Sequence, residues 1–375
     1  MIHKIFQSIF AVALSMVFFS ACNNNSQINE TIKIGFINPM TGELASYGEA
    51  VKRGVDLALE EVNRHGLLKG KTLEVIMEDS KGESKTAISS LQKMINIDEV
   101  KYVIGDISST VTLAMLPVTE QNKIFLFSPG AATPKLTNAG KLFARNWPSN
   151  NEEAYSAADY SFNTLGYKSS IIVYVNNDWG LGLMENFEKR FSELSGTIVT
   201  KEIYTYESVD FRTLILKLKS QKADCIYLAG NQKEMGNFMR QLRESKNQIP
   251  VISNTSFLEK DCLKLAGRAS EGVIVPTPAY NPNDTTSKSI QDFADAIKKK
   301  FNLQPTLAEA NGYEAIKLIV DGINKEGNDP VKVANYIRNL KNYWGAGGLV
   351  SFTNGDISVK NEYKKIVNGI PQTIQ

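Results

Sequence analysis

The chain has 375 residues, of which 42% are hydrophobic and 22% charged, an ordinary composition for a globular protein. This length exceeds that of a typical single domain, so two lobes are expected. Lysine and arginine together number 42, and aspartate and glutamate 40. This near balance gives no support for binding to nucleic acid or to a membrane surface through bulk charge.

The first 21 residues have the layout of a secretory signal peptide. Lys4 precedes an apolar stretch, residues 9–19, that is too short for a comfortable membrane span. Ser20-Ala21-Cys22 then resembles the lipobox of bacterial lipoproteins, although Phe19 stands where that pattern usually has leucine. We expect cleavage before Cys22, lipidation of Cys22 and a polar tether over 22–30, with a plain signal peptide cut elsewhere as the alternative. The mature protein is then expected outside the cytoplasm, in the periplasm or at the cell surface, held to the membrane by its lipid.

From Thr31 the chain alternates strand-like and helix-like segments with short connections. Val51, Val55, Ala58 and Val62 recur at the spacing of an amphipathic helix. The pattern predicts strands at 32–38, 73–77, 102–105 and 124–127, and further helices at 86–97 and 109–121. Such alternation indicates a parallel sheet covered by helices on both faces.

A second set of alternating segments follows residues 143–148. Strands are predicted at 170–175, 197–204, 225–229 and 250–253, separated by helices at 152–165, 183–194, 211–220 and 234–245. A stretch rich in Pro and Asn, 276–283, breaks the pattern. Two or three helices are predicted after it, at 289–301, 307–324 and 331–340, and short β-like pieces at 349–352 and 363–367.

Small and hydroxyl residues follow three of the first predicted strands, at 38–42, 106–110 and 128–134. Ligands of open α/β sheets bind outside the carboxyl ends of the strands, and helix starts there offer free N–H groups. The stretch 124–137, IFLFSPGAATPKLT, runs from a buried strand into a loop with almost no side chains. We therefore expect main-chain amides of this loop to approach a ligand closely.

The cysteines and histidines limit the chemistry that the chain can perform. Cys225 lies in an apolar run and Cys262 in a helical pattern, so two buried free thiols are expected in preference to a disulfide. With His3 in the removed segment, only His65 remains, at the predicted end of a helix. One histidine excludes a multi-histidine metal site and argues against Ser–His–Asp catalysis. No complete nucleotide-binding glycine motif occurs, so no metal and no cofactor are expected.

Five segments in the right order resemble type I periplasmic binding proteins of the branched-chain amino acid (leucine-binding) class, the substrate-binding components of ABC importers. They are IKIGFINPMTGELASYGEAVKRGVDLALEEVN, IGDISSTVTLAMLPV, FSPGAATPKLT, YVNNDWGLGLMENF and AGRASEGVIV, and the resemblance spans residues 32–367. It implies an α/β fold of two Rossmann-like lobes joined by three crossovers, with the ligand cleft between them. By this resemblance 31–147 plus 281–342 form lobe 1 and 148–280 plus 343–375 form lobe 2, with crossovers at 143–148, 276–283 and 343–348.

The resemblance also implies a set of ligand-binding residues. In amino-acid-binding members a serine after the third strand holds the ligand carboxylate, backbone groups of the small loop grip the ligand, and an aromatic residue from the second lobe covers it. The corresponding residues are Ser109 with its neighbour Ser108, then Gly130, Ala131 and Ala132, then Trp179, with Tyr47 at the pocket edge. Asp106 and Asp178 would bind a cationic group if they faced the cleft, although solvated loop carboxylates are commoner.

Three positions depart from the family pattern. Ala132 stands where a threonine hydroxyl usually binds the carboxylate, and Thr133 follows one place later. Thr255 stands where an acidic residue pairs with the ligand ammonium, and Asn231 where a tyrosine is usual. A site that lacks the buried carboxylate partner binds an ammonium ligand much more weakly. These departures weaken the expectation of an α-amino acid ligand but leave the transporter component unaffected.

The function expected from the sequence is that of a monomeric, lipid-anchored solute receptor that delivers its ligand to ABC permease subunits. The ligand class is a small polar solute, an amino acid or a related small acid or amide, bound without chemical change. One alternative is an extracytoplasmic sensor that passes lobe closure to a signalling partner. Another is an enzyme on the same fold with paired cleft carboxylates, against which the bare loop and the missing histidine argue.

Overall fold

The computed structural model describes residues 30–374, so the expected signal peptide and the expected lipidation site Cys22 lie outside the described part of the chain. The first lobe begins with five strands and three helices. The strands are β1 (Thr31–Asn38), β2 (Thr72–Asp79), β3 (Tyr102–Gly105), β4 (Phe125–Ser128) and β5 (Phe143–Arg145), and the helices are α1 (Ala45–Arg64), α2 (Ser84–Asn96) and α3 (Ser109–Gln121). All five strands are parallel, in the order β2-β1-β3-β4-β5.

The second lobe repeats this alternation. Its strands are β6 (Ser169–Val175), β7 (Thr197–Tyr204), β8 (Cys225–Ala229), β9 (Val251–Ser253) and β10 (Ile274–Pro278), which pair in parallel. Its helices are α4 (Asn150–Asp159, continued by a π turn at Tyr160–Thr164), α5 (Asp178–Glu193), α6 (Arg212–Leu218), α7 (Gln232–Glu244) and α8 (Lys260–Ala266). Short 3₁₀ turns lie at Pro134–Leu136, Thr255–Leu258 and Gly267–Ser270.

The last hundred residues return to the first lobe and end in the second. They comprise α9 (Lys288–Phe301), α10 (Leu307–Glu326), α11 (Pro330–Arg338), β11 (Tyr343–Gly345), β12 (Gly348–Val350), β13 (Phe352–Thr353), β14 (Asp356–Ile357), β15 (Asn361–Val367) and β16 (Ile370–Ile374). Helix α10 lies directly on α1, where a Cβ on Gly54 or Gly312 would run into a carbonyl oxygen of the other helix. Strands β15 and β16 are antiparallel and complete the second sheet in the order β16-β15-β10-β9-β8-β6-β7.

Both faces of each sheet are covered by helices, as the alternation predicted. Side chains alternate between the two faces of β1. Ile34 and Phe36 pack into the buried cluster on one face, and Ile37 packs into the cluster on the opposite face. In the second lobe, Val173 and Ile172 divide in the same way. Strands buried on both faces read as continuous apolar runs, and this is why the sequence signal for them is strong.

The third crossover lies later in the chain than expected, and the other two are shorter than expected. Phe352 and Ile357 are buried in the core of the first lobe, and Tyr343 packs against the same core. The hairpin region from 343 to 357 therefore belongs to lobe 1, and the chain crosses to lobe 2 between Ile357 and Asn361 rather than near 343–348. The other two connections lie between β5 and α4 and between β10 and α9, so 143–145 and 276–278 are sheet strands and not linker.

Several smaller features bear on function. Cys225 and Cys262 are buried free thiols in the second lobe, and His65 caps the carboxyl end of α1. No helix within residues 30–374 is long and apolar enough to cross a bilayer. The same residues contain no group of three or more His, Cys, Asp or Glu side chains that could hold a metal ion.

Candidate ligand-binding site

A cleft of about 530 Å³ lies between the two lobes, at the carboxyl ends of the first strands of each sheet. This size is in the range of small-molecule sites, and the position is the one at which open α/β sheets bind ligands. Seven of the ten ligand residues predicted from the sequence line the cleft: Tyr47, Ser108, Ser109, Gly130, Trp179, Asn231 and Thr255.

The amino end of α3 forms the first-lobe wall of the cleft. Ser108 is its N-cap and accepts a hydrogen bond from the amide of Val111. The amides of Ser109 and Thr110 have no acceptor among the described residues, and both residues line the cleft. Two free N–H groups at the positive end of a helix dipole form a favourable position for a carboxylate.

The hydroxyl of Ser109 is fixed in position by the neighbouring loop. Its Oγ accepts hydrogen bonds from the amides of Ala132, at 3.2 Å, and Thr133, at 3.1 Å. A serine hydroxyl has two acceptor sites and one donor, so both acceptor sites are occupied. The O–H of Ser109 is consequently left to donate to a ligand oxygen.

The bare loop has a different role from the one predicted. Gly130 lines the cleft, but Ala131, Ala132 and Thr133 are fully buried and do not reach its wall. Their amides are used inside the protein, since that of Ala131 donates to the Oγ of Ser128 and those of Ala132 and Thr133 donate to Ser109. The amides of Ala131 and Ala132 thus already have acceptors inside the protein, which argues against their gripping a ligand. Thr133 lies behind the cleft wall, and its Oγ1 has no partner among the described residues.

The loop 128–134 has small side chains because it packs closely against Ile107, and Arg145 holds it on the side away from the cleft. A Cβ on Gly130 would lie 2.8 Å from the Cβ of Ile107. Arg145, at the end of β5, is fully buried and donates to the carbonyls of Ala131 (3.2 Å) and Thr133 (2.9 Å).

Arg145 also binds the Oδ1 of Asp356, 2.7 Å from its Nε, and donates to the Oγ1 of Thr137. Sequence reasoning did not single out this arginine. The signal was a charged residue at the end of an otherwise apolar strand, LFAR.

Helix amino ends also form part of the second-lobe wall. Trp179 is the second residue of α5 and not a loop residue, and its half-buried ring packs on the lobe core as well as lining the cleft. Asn231 occupies the N-cap position of α7 and is 8% exposed, and its Nδ2 has no acceptor among the described residues. It is therefore a donor available to a ligand.

Glu153 is the most informative residue that sequence reasoning missed. It lies in the first turn of α4, lines the cleft and is only 6% exposed. Its Oε1 accepts hydrogen bonds from the amide and the hydroxyl of Thr255, at 2.5 and 2.6 Å. Burial raises the pKa of Glu153 to about 6, and the two bonds from Thr255 act in the opposite direction.

Oε2 of Glu153 receives no hydrogen bond within the described chain, so it is left for a donor on a ligand. Thr255, which lacks the carboxylate that the family has at its position, is thus bonded to a carboxylate from another helix. In the sequence, the one indication that Glu153 is buried is its position next to Ala154, which together with Ala157 faces the core.

Direct contacts join the two lobes around the cleft. Lys233 forms an ion pair with Glu43 at 3.0 Å, and Gln232 donates to the Oγ of Ser46 at 3.0 Å. On another side of the cleft Asp178 accepts hydrogen bonds from Thr110 and Lys135. The lobes are therefore closed on each other.

Neither of the two aspartates considered for cation binding lines the cleft. Asp106 is fully buried, accepts hydrogen bonds from the Oγ of Ser80 and the amide of Ser108, and has its pKa raised to about 7 by burial. Asp178 is taken by the inter-lobe contacts just described. Asp106 and Asp178 therefore bind groups of the protein itself. The buried carboxylate that lines the cleft from the second lobe is that of Glu153.

Two wound α/β lobes closed over a cleft define a type I solute-binding protein. The chain belongs to the periplasmic binding protein family, whose family model matches residues 31–363. The Leu/Ile/Val-binding protein of Escherichia coli (strain K12) is 27% identical over 316 residues, covering 84% of this chain and 85% of the relative. The family implies an extracytoplasmic location.

Two solved structures give the same fold. The leucine binding protein LivK of Thermotoga maritima matches with a TM-score of 0.86 at 26% identity, covering 92% of this chain and 98% of that one. A solute binding protein of an ABC transporter from Rhodopseudomonas palustris BisB5, in complex with 3,4-dihydroxy benzoic acid, matches with a TM-score of 0.80 at 25% identity, covering 92% and 96%. The relatives of this chain are thus solute-binding proteins of transport systems.

Proposed function

We propose that this protein is the substrate-binding lipoprotein of an ABC importer and that it captures an amino acid by closure of its two lobes. The observation that carries the proposal is the opposite chemistry of the two cleft walls. The first lobe presents hydrogen-bond donors at the start of α3, and the second presents the buried carboxylate of Glu153. A molecule with a carboxylate at one end and an ammonium at the other fits both walls at once.

Closure is the step that connects binding to transport. A ligand that contacts both lobes binds the closed form more tightly than the open form and so increases the closed population. The permease then distinguishes the loaded receptor by the relative position of its lobes. Tyr47, Ser108, Ser109 and Gly130 would contact the solute from the first lobe, and Trp179, Asn231, Thr255 and Glu153 from the second.

Lipidation of Cys22 would hold the receptor at the membrane beside its permease. The support for it is the lipobox-like Ser20-Ala21-Cys22 and the Asn/Ser-rich tether that follows. Labelled palmitate should enter the wild-type protein and not the Cys22→Ser variant. Equal labelling of the two proteins would contradict lipidation at this residue.

An aromatic acid is the second candidate ligand, because the relative from R. palustris was solved with one. Glu153 disfavours it, since a solute that has a carboxylate but no ammonium would leave a buried carboxylate without a counter-charge. Leu44, Val51 and Ile107 give the cleft enough apolar wall for either class. The electrostatic argument therefore favours the amino acid.

A thermal-shift screen of the purified protein against amino acids, their amides, urea derivatives and benzoates tests the proposal. A ligand at a hundredfold excess over its Kd should stabilise the protein by about 2.7 kcal/mol. We expect an amino acid to stabilise the protein in this way. The Glu153→Gln variant of the protein should lose most of the ligand-induced rise in Tm while keeping the Tm of the unliganded wild type. Stabilisation by benzoates alone would contradict the amino acid assignment.

Transport and sensing require a separate test, because both use the same cleft. Deletion of the gene should abolish uptake of the radiolabelled solute found in the screen. Normal uptake combined with loss of a transcriptional or chemotactic response to that solute would favour the signalling alternative. Recovery of unchanged solute after long incubation is expected in either case, and turnover would indicate an enzyme.

A further inference from the structure

The charged side chains that line the cleft are predominantly acidic. Among residues 30–374 they are Glu43, Glu83, Glu153 and Glu207, with Lys81 as the one cation and no arginine or histidine. Lys233 neutralises Glu43 through their ion pair. Three glutamates without an ion-pair partner in the described chain remain for one lysine, so the cleft has a negative electrostatic potential.

Aromatic rings make up much of the remaining wall. Tyr47 and Trp147 line the cleft from the first-lobe side and the connection after β5, and Trp179 and Tyr206 line it from the second lobe. Aromatic faces attract cations through the ring quadrupole, most strongly when the site is partly desolvated. Carboxylates next to aromatic faces are a combination that favours a cation over a neutral or anionic group.

The two features meet at Tyr206. The side chain of Tyr206 is 37% exposed, and its partial burial in the cleft is the largest cause that raises the pKa of its phenol; the carboxylates of Glu234, Glu43, Asp106 and Glu207 raise it further. Glu207 follows Tyr206 in the chain, is exposed and lines the cleft. Glu234 is buried beneath it and holds the amide of Glu207 through Oε1, while its Oε2 has no donor among the described residues.

Tyr206 and Glu207 line the cleft but have no part in holding the backbone of an amino acid. The α-carboxylate would be bound at the start of α3 and the α-ammonium at Glu153, as proposed above. Tyr206 and Glu207 are then left for the side chain of the solute, since Glu43 is already paired with Lys233. An aliphatic side chain would gain nothing from the carboxylate of Glu207, whereas a positively charged one would be attracted to it.

We propose that the solute is a basic amino acid whose cationic side chain lies against Tyr206 and the carboxylate of Glu207. This inference rests on the proposed function and narrows its ligand class. It makes Glu207 a specificity-determining residue, since Glu207 has no ion-pair partner and its side chain bonds to no other described residue. The cleft would accordingly reject acidic amino acids.

Isothermal titration calorimetry with L-lysine, L-ornithine, L-norleucine and L-glutamate tests this inference. Norleucine has the length of lysine without its charge, so the ratio of the two affinities isolates the contribution of the side-chain cation. We expect lysine or ornithine to bind at least about tenfold more tightly than norleucine, and glutamate not to bind. In Glu207→Gln the ratio of the lysine affinity to the norleucine affinity should fall about threefold to fivefold, through weaker binding of lysine and not through a change in norleucine binding.

The matched control is Glu271→Gln, which removes an exposed glutamate of the same lobe outside the cleft. It should leave both affinities as in the wild type. Norleucine binding as tight as lysine binding would overturn the inference and leave the proposed function standing. Benzoate binding without any amino acid binding would overturn both.

Discussion

Lys135 and Asp178 form an ion pair across the two lobes, with the Nζ of Lys135 lying 2.7 Å from the Oδ1 of Asp178. Lys135 ends the bare loop of the first lobe, and Asp178 begins the helix that carries Trp179. The Oδ2 of Asp178 also accepts a hydrogen bond from the Oγ1 of Thr110, at 3.1 Å. One carboxylate of the second lobe thus contacts two different first-lobe segments beside the cleft.

Because the Lys135–Asp178 pair joins the two lobes, we expect opening to break it, and its removal should then reduce ligand affinity. Both side chains are partly exposed, and exposed pairs contribute about 0.2–1 kcal/mol, so Lys135→Ala should weaken binding by up to about fivefold. Calorimetric affinities check this expectation. The exchange Lys135→Asp with Asp178→Lys should restore affinity, and Lys201→Ala, which breaks an ion pair within lobe 2, should have no effect.

Ser109→Ala should weaken binding of any carboxylate ligand. The substitution removes a donor to the ligand and leaves the amides of Ala132 and Thr133 without their acceptor. Hydrogen bonds to charged groups are worth about 1.5–3 kcal/mol, so affinity should fall by at least tenfold. Ser161→Ala, a buried serine of the second lobe away from the cleft, is the control. Equal affinities in Ser109→Ala and wild type would remove Ser109 from the ligand site.

Ligand affinity should rise with pH because of Glu153. Burial raises its pKa to about 6, so the unliganded protein carries a protonated carboxyl below that pH, whereas an ammonium ligand requires the carboxylate. Affinity should therefore rise about tenfold per pH unit below pH 6 and level off above it. Calorimetry between pH 5 and pH 8 measures this, and the weak binding of Glu153→Gln should not change over the range.

The same carboxyl has an opposite effect on the stability of the unliganded protein. A pKa raised on folding favours the folded state at low pH, so this contribution is present below about pH 4.5 and lost as the pH rises through about 6. Affinity that is flat from pH 5 to pH 7 in the wild type would show that Glu153 does not face a cation.

Arg145→Ala should strongly destabilise the protein, because Arg145 holds the loop 128–134 in place. It leaves Asp356 without its partner and frees the carbonyls of Ala131 and Thr133 inside the protein. Breaking a buried ion pair costs about 3–5 kcal/mol, and urea unfolding should show a loss of this size. Arg338→Ala, which removes a half-buried arginine that also donates to carbonyls, is a matched comparison. A loss below that of Arg338→Ala would contradict the role of Arg145.

The fold was accessible from the sequence because its signals are local. Runs such as IKIGFIN and CIYLAG are buried on both faces, and the helices between them repeat apolar residues at regular spacing. The boundary at 343 failed because β11 to β14 are two or three residues long, and nothing in such short pieces says which lobe they cover. Only the burial of Phe352 and Ile357 in the first core decides it.

The site was only partly accessible for a different reason. Ser109, Gly130 and Trp179 follow strands or begin helices, and such positions can be read from one sequence. Glu153 and Arg145 act through partners more than 100 and 200 residues away in the chain, Thr255 and Asp356 respectively. The bare loop was interpreted as a ligand grip because a sequence does not tell whether its amides already have acceptors.

The burial of Cys225 and Cys262 makes lobe closure measurable by fluorescence. They are the two cysteines of residues 30–374, and neither is accessible to a thiol-reactive dye in the folded state. With Cys22 lipidated or replaced by serine, cysteines introduced at exposed positions of each lobe would thus take a donor and an acceptor dye without reaction of Cys225 or Cys262. A receptor labelled in this way would report the concentration of its solute directly, as a reagentless biosensor.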